Sequence, residues 1–433
     1  MYAPTARNFY SYAANMFLLG LMTVAFGATD LLMVAPLGAL PTAAVALAEV
    51  YVTLLTVLGL GAMEAFTARV ARTKGFTRHN FVALMGGGLL AQVPTVAIAT
   101  LAAALSRWVL GALQPDPAVV AQAMPYVWVR VLGLPITLAN LLCNQALRLS
   151  QRQRATVGVL ALGILCNVGG NALFLYLPWA GQMAAATGVA LATVLAHSVM
   201  LAAALASLLA AHPHWHSPPH SALPRAVAWA RCLGWRGLQV GVWNSADYAF
   251  TLFVLSLVGQ LGVPSLAAVS LAGKLMSLLY RVPQALCDAT LVYYQPGGAW
   301  PKPGNVFGHT WRWTLLPSMA VCALALVGVG VAPWPAQTSA GVDPGLVRSV
   351  LTLQLAFVVP YTVQHYLSQV LVAQGRPGVL VQVPVMVYLG LALALLGLHA
   401  SQNLSVLAVV GIAESALVLN AVLFGWAALA GTK

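Results

Sequence analysis

The sequence predicts an all-α integral membrane fold, with twelve transmembrane helices arranged as two pseudo-symmetric six-helix bundles. Three observations predict it. Hydrophobic residues make up 61% of the 433 positions and charged residues 6%, with a mean hydropathy of +0.86, which is more apolar surface than one water-soluble core hides. The chain holds about twelve apolar stretches of the ~20 residues needed to cross hydrocarbon. The segment from Asp30 to Gly75 also returns in altered form half a chain later.

That repetition sets the domain organisation. Shifted by 224 positions, Leu37-Gly38 falls on Leu261-Gly262, Ala43-Ala44-Val45 on Ala267-Ala268-Val269, and Glu64 on Asp288. Nine of the twenty residues from 36 to 55 match those from 260 to 279 without a gap, which reads as two copies of one unit. Pro135-Ile136-Thr137 and Pro360-Tyr361-Thr362 extend the repeat at an offset of 225. The organisation expected is an N-terminal six-helix bundle over 1–211, a cytoplasmic linker over 212–235 and a C-terminal six-helix bundle over 236–433.

The spans are expected near 11–36, 41–71, 80–105, 118–147, 155–178, 184–211, 236–260, 264–294, 310–332, 346–373, 378–399 and 403–430. The net charge of +12 has a position as well as a sign. Arg69, Arg72, Lys74 and Arg78 follow span two, Arg148, Arg152 and Arg154 follow span four, and Arg225, Arg231 and Arg236 follow span six. The opposite loops offer chiefly Arg107, Asp116, Asp343 and Arg348, so the basic side and both termini are expected in the cytoplasm of a multi-pass plasma (inner) membrane protein. No basic domain lies outside these loops, which speaks against a nucleic-acid partner. Residues 1–12 are polar and the apolar run after them is span-length, so the first helix itself serves as targeting signal.

Span one carries Asp30 after a Gly-Ala-Thr segment. A carboxylate in hydrocarbon costs ~3 kcal/mol on insertion scales, so it faces either the bundle interior or a water-filled cavity, unless it reaches water at the outer surface. Span two adds Glu49 near its outer end and Glu64 near its inner end. Span four contributes Arg130, Pro135, Asn140 and Asn144, and span five Asn167 and Asn171. The i, i+4 spacing of the last pair aims both amides along one helix face. There they can give oxygens to a cation or hydrogens to a carboxylate, or simply join helices, and the Gly169-Gly170 pair between them permits close backbone approach in each case.

The longest polar connection lies between spans six and seven. Its His212, His214, His216 and His220 lack an acidic or cysteine partner, so no metal site is expected there. The five cysteines form no CxxC pair, which leaves no disulfide framework or zinc site. Asp247 lies mid-span in helix seven, three residues after Asn244. Lys274, Arg281 and Asp288 recur at intervals of seven along span eight, with Gln284 among them, and would form one charged stripe. Such a stripe either lines a central cavity or is neutralised in a structural network of Arg281 with Asp247 or Asp288. Glu414 is a further acid, in the last span.

Five stretches, in order across nearly the whole chain, resemble the multidrug and toxic compound extrusion (MATE) family of the MOP flippase superfamily. They are Asp30 followed by LGALPTAAVALA, then GLGAMEAFTARVARTKG, NVGGNALFLYLPWAG, GVALATVLAH and LVGQLGVPSLAAVSLA. The resemblance implies a V of two bundles opening alternately to each side. It also implies an ion or proton site in the N-terminal bundle built from Asp30, Asn167, Asn171 and Thr193, with Asp247 as a second coupling group. One branch of the family has an acid at the position of Asn171, so sodium binding is in doubt here while proton coupling through Asp30 stands. Glu64 resembles an acid that some eukaryotic members carry in span two.

The function expected is cation-coupled antiport, with H+ or Na+ driving export of a small organic compound by a chain that works as a monomer and needs no cofactor beyond the coupling ion. Lys274, Arg281 and Arg130 in the expected substrate cavity favour an anionic or zwitterionic natural product over an organic cation, unless Asp247, Asp288 and Glu414 cancel them. Alternatives are a broad organic-cation exporter and a lipid-linked oligosaccharide flippase of the same superfamily. An enzyme is not expected, because the sequence holds neither HExxH, GxSxG nor a phosphate-cradling glycine loop.

Overall fold

The computed structural model describes residues 6–72, 76, 80–150, 152, 153–177, 183–211, 222–293, 310–331, 341–373, 376 and 378–430. Among them every regular element is helical. Sixteen α-helices follow in order: α1 (Ala6–Val34), α2 (Ala39–Arg72), α3 (Phe81–Leu90), α4 (Val93–Leu113), α5 (Pro117–Leu132), α6 (Leu134–Leu149), α7 (Gln153–Tyr176), α8 (Ala185–Ala211), α9 (Ala222–Gln260), α10 (Val263–Leu279), α11 (Arg281–Tyr293), α12 (Thr310–Val331), α13 (Pro344–Leu355), α14 (Val358–Ala373), α15 (Val379–Ala400) and α16 (Val406–Ala430). Eight helices or helix runs are long and apolar enough to cross a bilayer, and ten if each of two bent pairs counts as one span. The two remaining expected spans lie on α1 and α9, of 29 and 39 residues. The histidine-rich stretch at 212–220 lies outside the described residues, as do Lys74 and Arg78.

Sixteen helices stand for twelve expected spans because four spans are broken, and proline chemistry sets the places. Pro94, Pro135, Pro283 and Pro360 each lie two or three residues into the second helix of a pair. A proline has no N–H to give the carbonyl four residues back and its ring collides with that carbonyl. The carbonyls affected are those of Leu90, Val131, Leu279 and Ala356, and each break falls beside them. The bends at Gly133 and at Ala356–Phe357 are 51° and 44°. Proline is not sufficient, since Pro125, Pro317 and Pro384 are carried inside α5, α12 and α15. One expectation changes with the break at Tyr280: Lys274 stands on α10 while Arg281 and Asp288 stand on α11, so the charges do not form one stripe on one helix.

The sequence repeat is a repeat of backbone. Gly38 and Gly262, 224 positions apart, are two of the positive-φ glycines, at 131° and 118°, and each precedes the first residue of a helix, α2 or α10. Only a residue without Cβ adopts this conformation cheaply. Asp116 and Asp343 cap α5 and α13 in the same way, each side chain accepting a hydrogen bond at 2.8 Å from the backbone N–H two residues on, with proline at the first helical position.

The helices group by contact into two units. Unit 1 contains 1–28 and 253–433, and unit 2 contains 29–252. The cuts fall inside α1 after Ala28 and inside α9 after Leu252. In unit 2, α2 crosses α9 where glycines leave no room for a side chain: a Cβ on Gly61 would stand 2.0 Å from the Gly237 carbonyl oxygen, and one on Gly241 would stand 2.2 Å from that of Leu58. In unit 1, Phe9 and Ala13 of α1 pack on Leu286 and Ala289 of α11. A second core joins Cys287, Tyr366, Leu367, Val370 and Phe424.

Candidate functional site

The site assembles in unit 2 around Asp30, which is 1% exposed near the end of α1. Asn167 and Asn171, one turn apart on α7, both turn their amide nitrogens to Asp30 Oδ1, at 3.0 and 2.7 Å. Thr193 of α8 donates to Asp30 Oδ2 at 2.8 Å. All three partners are at most 1% exposed. The carboxylate therefore has three donors on its two oxygens, each bond to a charged group worth about 1.5–3 kcal/mol, which offsets the cost of taking the charge out of water.

Local packing explains why Thr193 reaches so far. A Cβ on Gly170 would lie 2.9 Å from the Ala192 Cβ, so the bare glycine lets α8 close on α7 next to Thr193. Gly169 performs no such service, because a Cβ there would meet nothing within 4 Å. Thr29, beside Asp30, donates to Asn167 Oδ1 at 2.7 Å and so orients that amide with its nitrogen toward the carboxylate. The carbonyl oxygen of Asn171 is buried and has no hydrogen-bond partner.

Two hydrogen-bonding options meet at Thr193, whose hydroxyl lies 2.8 Å from Asp30 Oδ2 and 3.0 Å from the Val189 carbonyl. An ionised Asp30 only accepts, and Thr193 then donates to it. A protonated Asp30 donates to Thr193 instead, whose own proton turns to Val189. Rotation of one hydroxyl thus lets the site hold either charge state.

The other residues singled out by sequence lie elsewhere. Asn140 and Asn144 are buried on α6, where Asn144 donates to Asn140 Oδ1 at 2.8 Å and the Asn140 nitrogen lies 3.0 Å from His197 Nδ1. Glu64 on α2 and Asp247 on α9 are exposed, and Asp247 takes no part in the bonds around Asp30. Arg130 on α5 is half-buried, 5.8 Å above the Tyr126 ring. The side chain of Asn244 is outside the described residues. In unit 1, Arg281 is held by the Ser277 carbonyl and the Gln284 side-chain oxygen, Glu414 accepts from Gln354 at 2.8 Å, and Asp288 meets His365 and Gln369 at 3.1 and 3.0 Å. Lys274 is half-buried on α10.

Sequence reasoning passed over Thr29, His197, His365, Gln369 and Gln354, all uncharged or conditionally charged. A signal existed for two of them: at the repeat offset of 225, Asn140 and Asn144 fall on His365 and Gln369.

The MatE family model matches residues 16–173. A probable multidrug resistance protein NorM from Synechocystis sp. is 26% identical over 341 residues, 75% of this chain and 68% of that one. Among solved structures, a multidrug resistance MATE transporter of the MOP superfamily in its inward-facing conformation superposes with a TM-score of 0.71 at 17% identity, covering 96% of this chain and 97% of the other. A MOP superfamily transporter from Pyrococcus furiosus, described for the reverse polarity of its binding pocket, gives 0.56 at 16% identity over 97% and 94%. At these identities the structures establish a shared fold, that of the twelve-helix transporters.

Proposed function

We propose that this chain, which matches the MatE family model over residues 16–173 and shares the fold of solved MATE transporters along its length, is a multidrug-type efflux transporter of that family, driven by protons through Asp30. The observation that carries the reading is the buried carboxylate with its three donors on α7 and α8. A proton is the ion that these partners suit. The amides of Asn167 and Asn171 present hydrogen, not oxygen, to Asp30, and a hydroxyl that can donate or accept sits on the other oxygen. A sodium ion would ask both amides to turn their oxygens inward, and Thr29 opposes that at Asn167.

Exchange follows if proton and cargo prefer different conformations, since each ligand shifts the equilibrium only by its differential affinity. Asp30 takes a proton in the state open to the acidic side and gives it up when the other side opens, and cargo leaves in return. The protein works as a single chain in the plasma membrane with the basic loops inside, as the positive-inside bias supports. The cargo is a small organic compound, and an anionic or zwitterionic one fits best. Arg281 is held by two neutral oxygens, which leave its charge uncancelled. Asp288 and Glu414 are engaged by His365, Gln369 and Gln354 instead.

The test uses purified protein in liposomes with a pH gradient, loaded with ethidium in one set and carboxyfluorescein in the other. Gradient-driven movement of at least one probe in wild type, abolished in Asp30→Asn, supports proton coupling. Coupled movement that survives in Asp30→Asn, or that follows sodium instead of pH, overturns it. Arg281→Ala should reduce transport of the anion more than that of the cation, and the reverse pattern rejects the cargo assignment.

A further inference from the structure

Unit 1 holds an ionisable group of its own that proton coupling through Asp30 does not use. His365 Nε2 on α14 lies 3.1 Å from Asp288 Oδ1 on α11, and Gln369 Nε2, one turn further along α14, donates to the same oxygen at 3.0 Å. The side chains of His365 and Asp288 are 23% and 36% exposed, unlike the sealed carboxylate of unit 2. The Tyr361 ring lies parallel to the imidazole, 4° between planes at 6.0 Å, and stacks in turn on Tyr280 at 4.1 Å. The imidazole plane is thereby fixed against its carboxylate.

The hydrogen bonds decide the tautomer. With Asp288 as the carboxylate, Nε2 must carry the ring hydrogen that it shares, and the lone pair is left on Nδ1. We propose that this is a second proton-binding site, in which Nδ1 of His365 takes the proton, Asp288 is its fixed counter-charge and Gln369 holds that carboxylate in place. The balance is simple: one proton from water adds to Nδ1, no bond breaks, and the group passes from one net negative charge to none. The Nε2–H···Oδ1 bond, charged on its acceptor alone before, then joins two ionised partners, which tightens the hold of α11 on α14.

The duplication in the chain makes the assignment specific. At offsets of 224 and 225, Glu64, Asn140 and Asn144 of unit 2 fall on Asp288, His365 and Gln369, so unit 1 carries an ionisable ring where unit 2 carries an amide. Other charged groups on α11, α14 and the helices packed against them are Arg7, Lys274, Arg281, Arg312 and Glu414. The neutral titratable ones are Tyr280 at the α10–α11 break, Cys287, Cys322, Tyr361, Tyr366, Tyr388 and His399, with Tyr10 and Tyr12 on α1. Among the described titratable groups Asp288 is the one at hydrogen-bonding distance from the imidazole, and the neutral Gln369 nitrogen lies 3.4 Å from the same Nε2.

The experiment counts protons on the full chain in nanodiscs, with no cargo present, by potentiometric titration between about pH 8 and pH 5, the window in which an imidazole charges. His365→Gln keeps a donor to Asp288 but removes the proton acceptor, and it is expected to bind about one proton fewer per molecule than wild type. Asp30→Asn should leave that difference intact, so a failure of the Asp30 reading would not be mistaken for a failure of this one. Asp288→Asn, with the ring kept and the counter-charge gone, should take up the His365 proton incompletely over the same window. Equal proton counts for wild type and His365→Gln, with both proteins monodisperse and equal in thermal stability, overturn the proposal. If His365→Gln does not fold, the carbon-13 signal of His365 in labelled wild type serves instead, and a signal that stays constant across the window refutes it.

Discussion

The two acids of the duplicated chain, Asp30 in unit 2 and Asp288 in unit 1, are supported in opposite ways. Asp30 is sealed and answered by neutral donors, two amides and a hydroxyl. Asp288 is open to a third of its surface and answered by an imidazole that can itself charge. The skeleton around them is shared: positive-φ Gly38 and Gly262, aspartate caps before α5 and α13, and a proline break in the middle of the fourth and tenth spans. Backbone geometry has therefore been kept across the duplication while the polar content of the two halves has diverged. A neutral donor set holds a charge in place without adding one, which suits a site that must change charge by a single proton.

The contrast can be broken at its tightest point first. Gly61→Val puts a branched side chain where even a Cβ stands 2.0 Å from the Gly237 carbonyl, so α2 and α9 cannot close and the protein should be lost from the membrane or melt at least ~10 °C lower. Expression with fluorescence-detected thermal melting reads this out. Asp30→Leu comes next. It leaves the amides of Asn167 and Asn171 facing an alkyl group while the Thr193 hydroxyl turns to the Val189 carbonyl, and an unsatisfied buried donor costs about 1–3 kcal/mol, so stability should fall by about that much together with loss of coupled transport. Asp288→Leu should cost clearly less, because the site is part-exposed and its partners are not sealed against an alkyl group.

Two substitutions sharpen the comparison instead. Asn171→Asp places a second carboxylate against the first, where two like charges cannot both be ionised without a cation between them. Transport by that variant should become sodium-responsive, and the absence of any sodium effect would mean that the amide at 171 is not what selects the proton. Pro283→Ala restores an N–H at the break before α11 and makes this span resemble unbroken α2, whose residue at the repeat position is Gly59. The span should straighten as the restored N–H reaches the Leu279 carbonyl, and a bend that persists in Pro283→Ala would show that proline does not set the break. The smallest effect is expected at Gly273→Ala in α10, where a Cβ meets nothing within 4 Å and the gain in helix propensity of up to ~1 kcal/mol is unopposed.

Much of this was legible in the sequence, and the parts that were not share a cause. The membrane class follows from composition, and the duplication was visible at Leu37-Gly38 because a left-handed glycine cannot drift freely. Asn167 and Asn171 share a face by spacing alone, but their meeting with Asp30 and Thr193, over 137 and 163 positions, was reached through family resemblance and not from the pattern. Span breaks were hidden because proline is also tolerated inside α5, α12 and α15, so a proline by itself does not announce a break. His197 and His365 escaped a search for formal charge, since an imidazole is marked out by its neighbours and those are set by tertiary contact. The cuts between units at Ala28 and Leu252 fall within continuous helices, where no composition change marks them.

The most direct test of the account is the protonated-carboxyl stretch of Asp30 in infrared difference spectra of the membrane-embedded protein, assigned by its loss in Asp30→Asn. As a transported probe is added at constant pH, the account predicts that the band fades and one proton per molecule is released to the medium. A band that keeps its full intensity while the probe saturates the protein would contradict it.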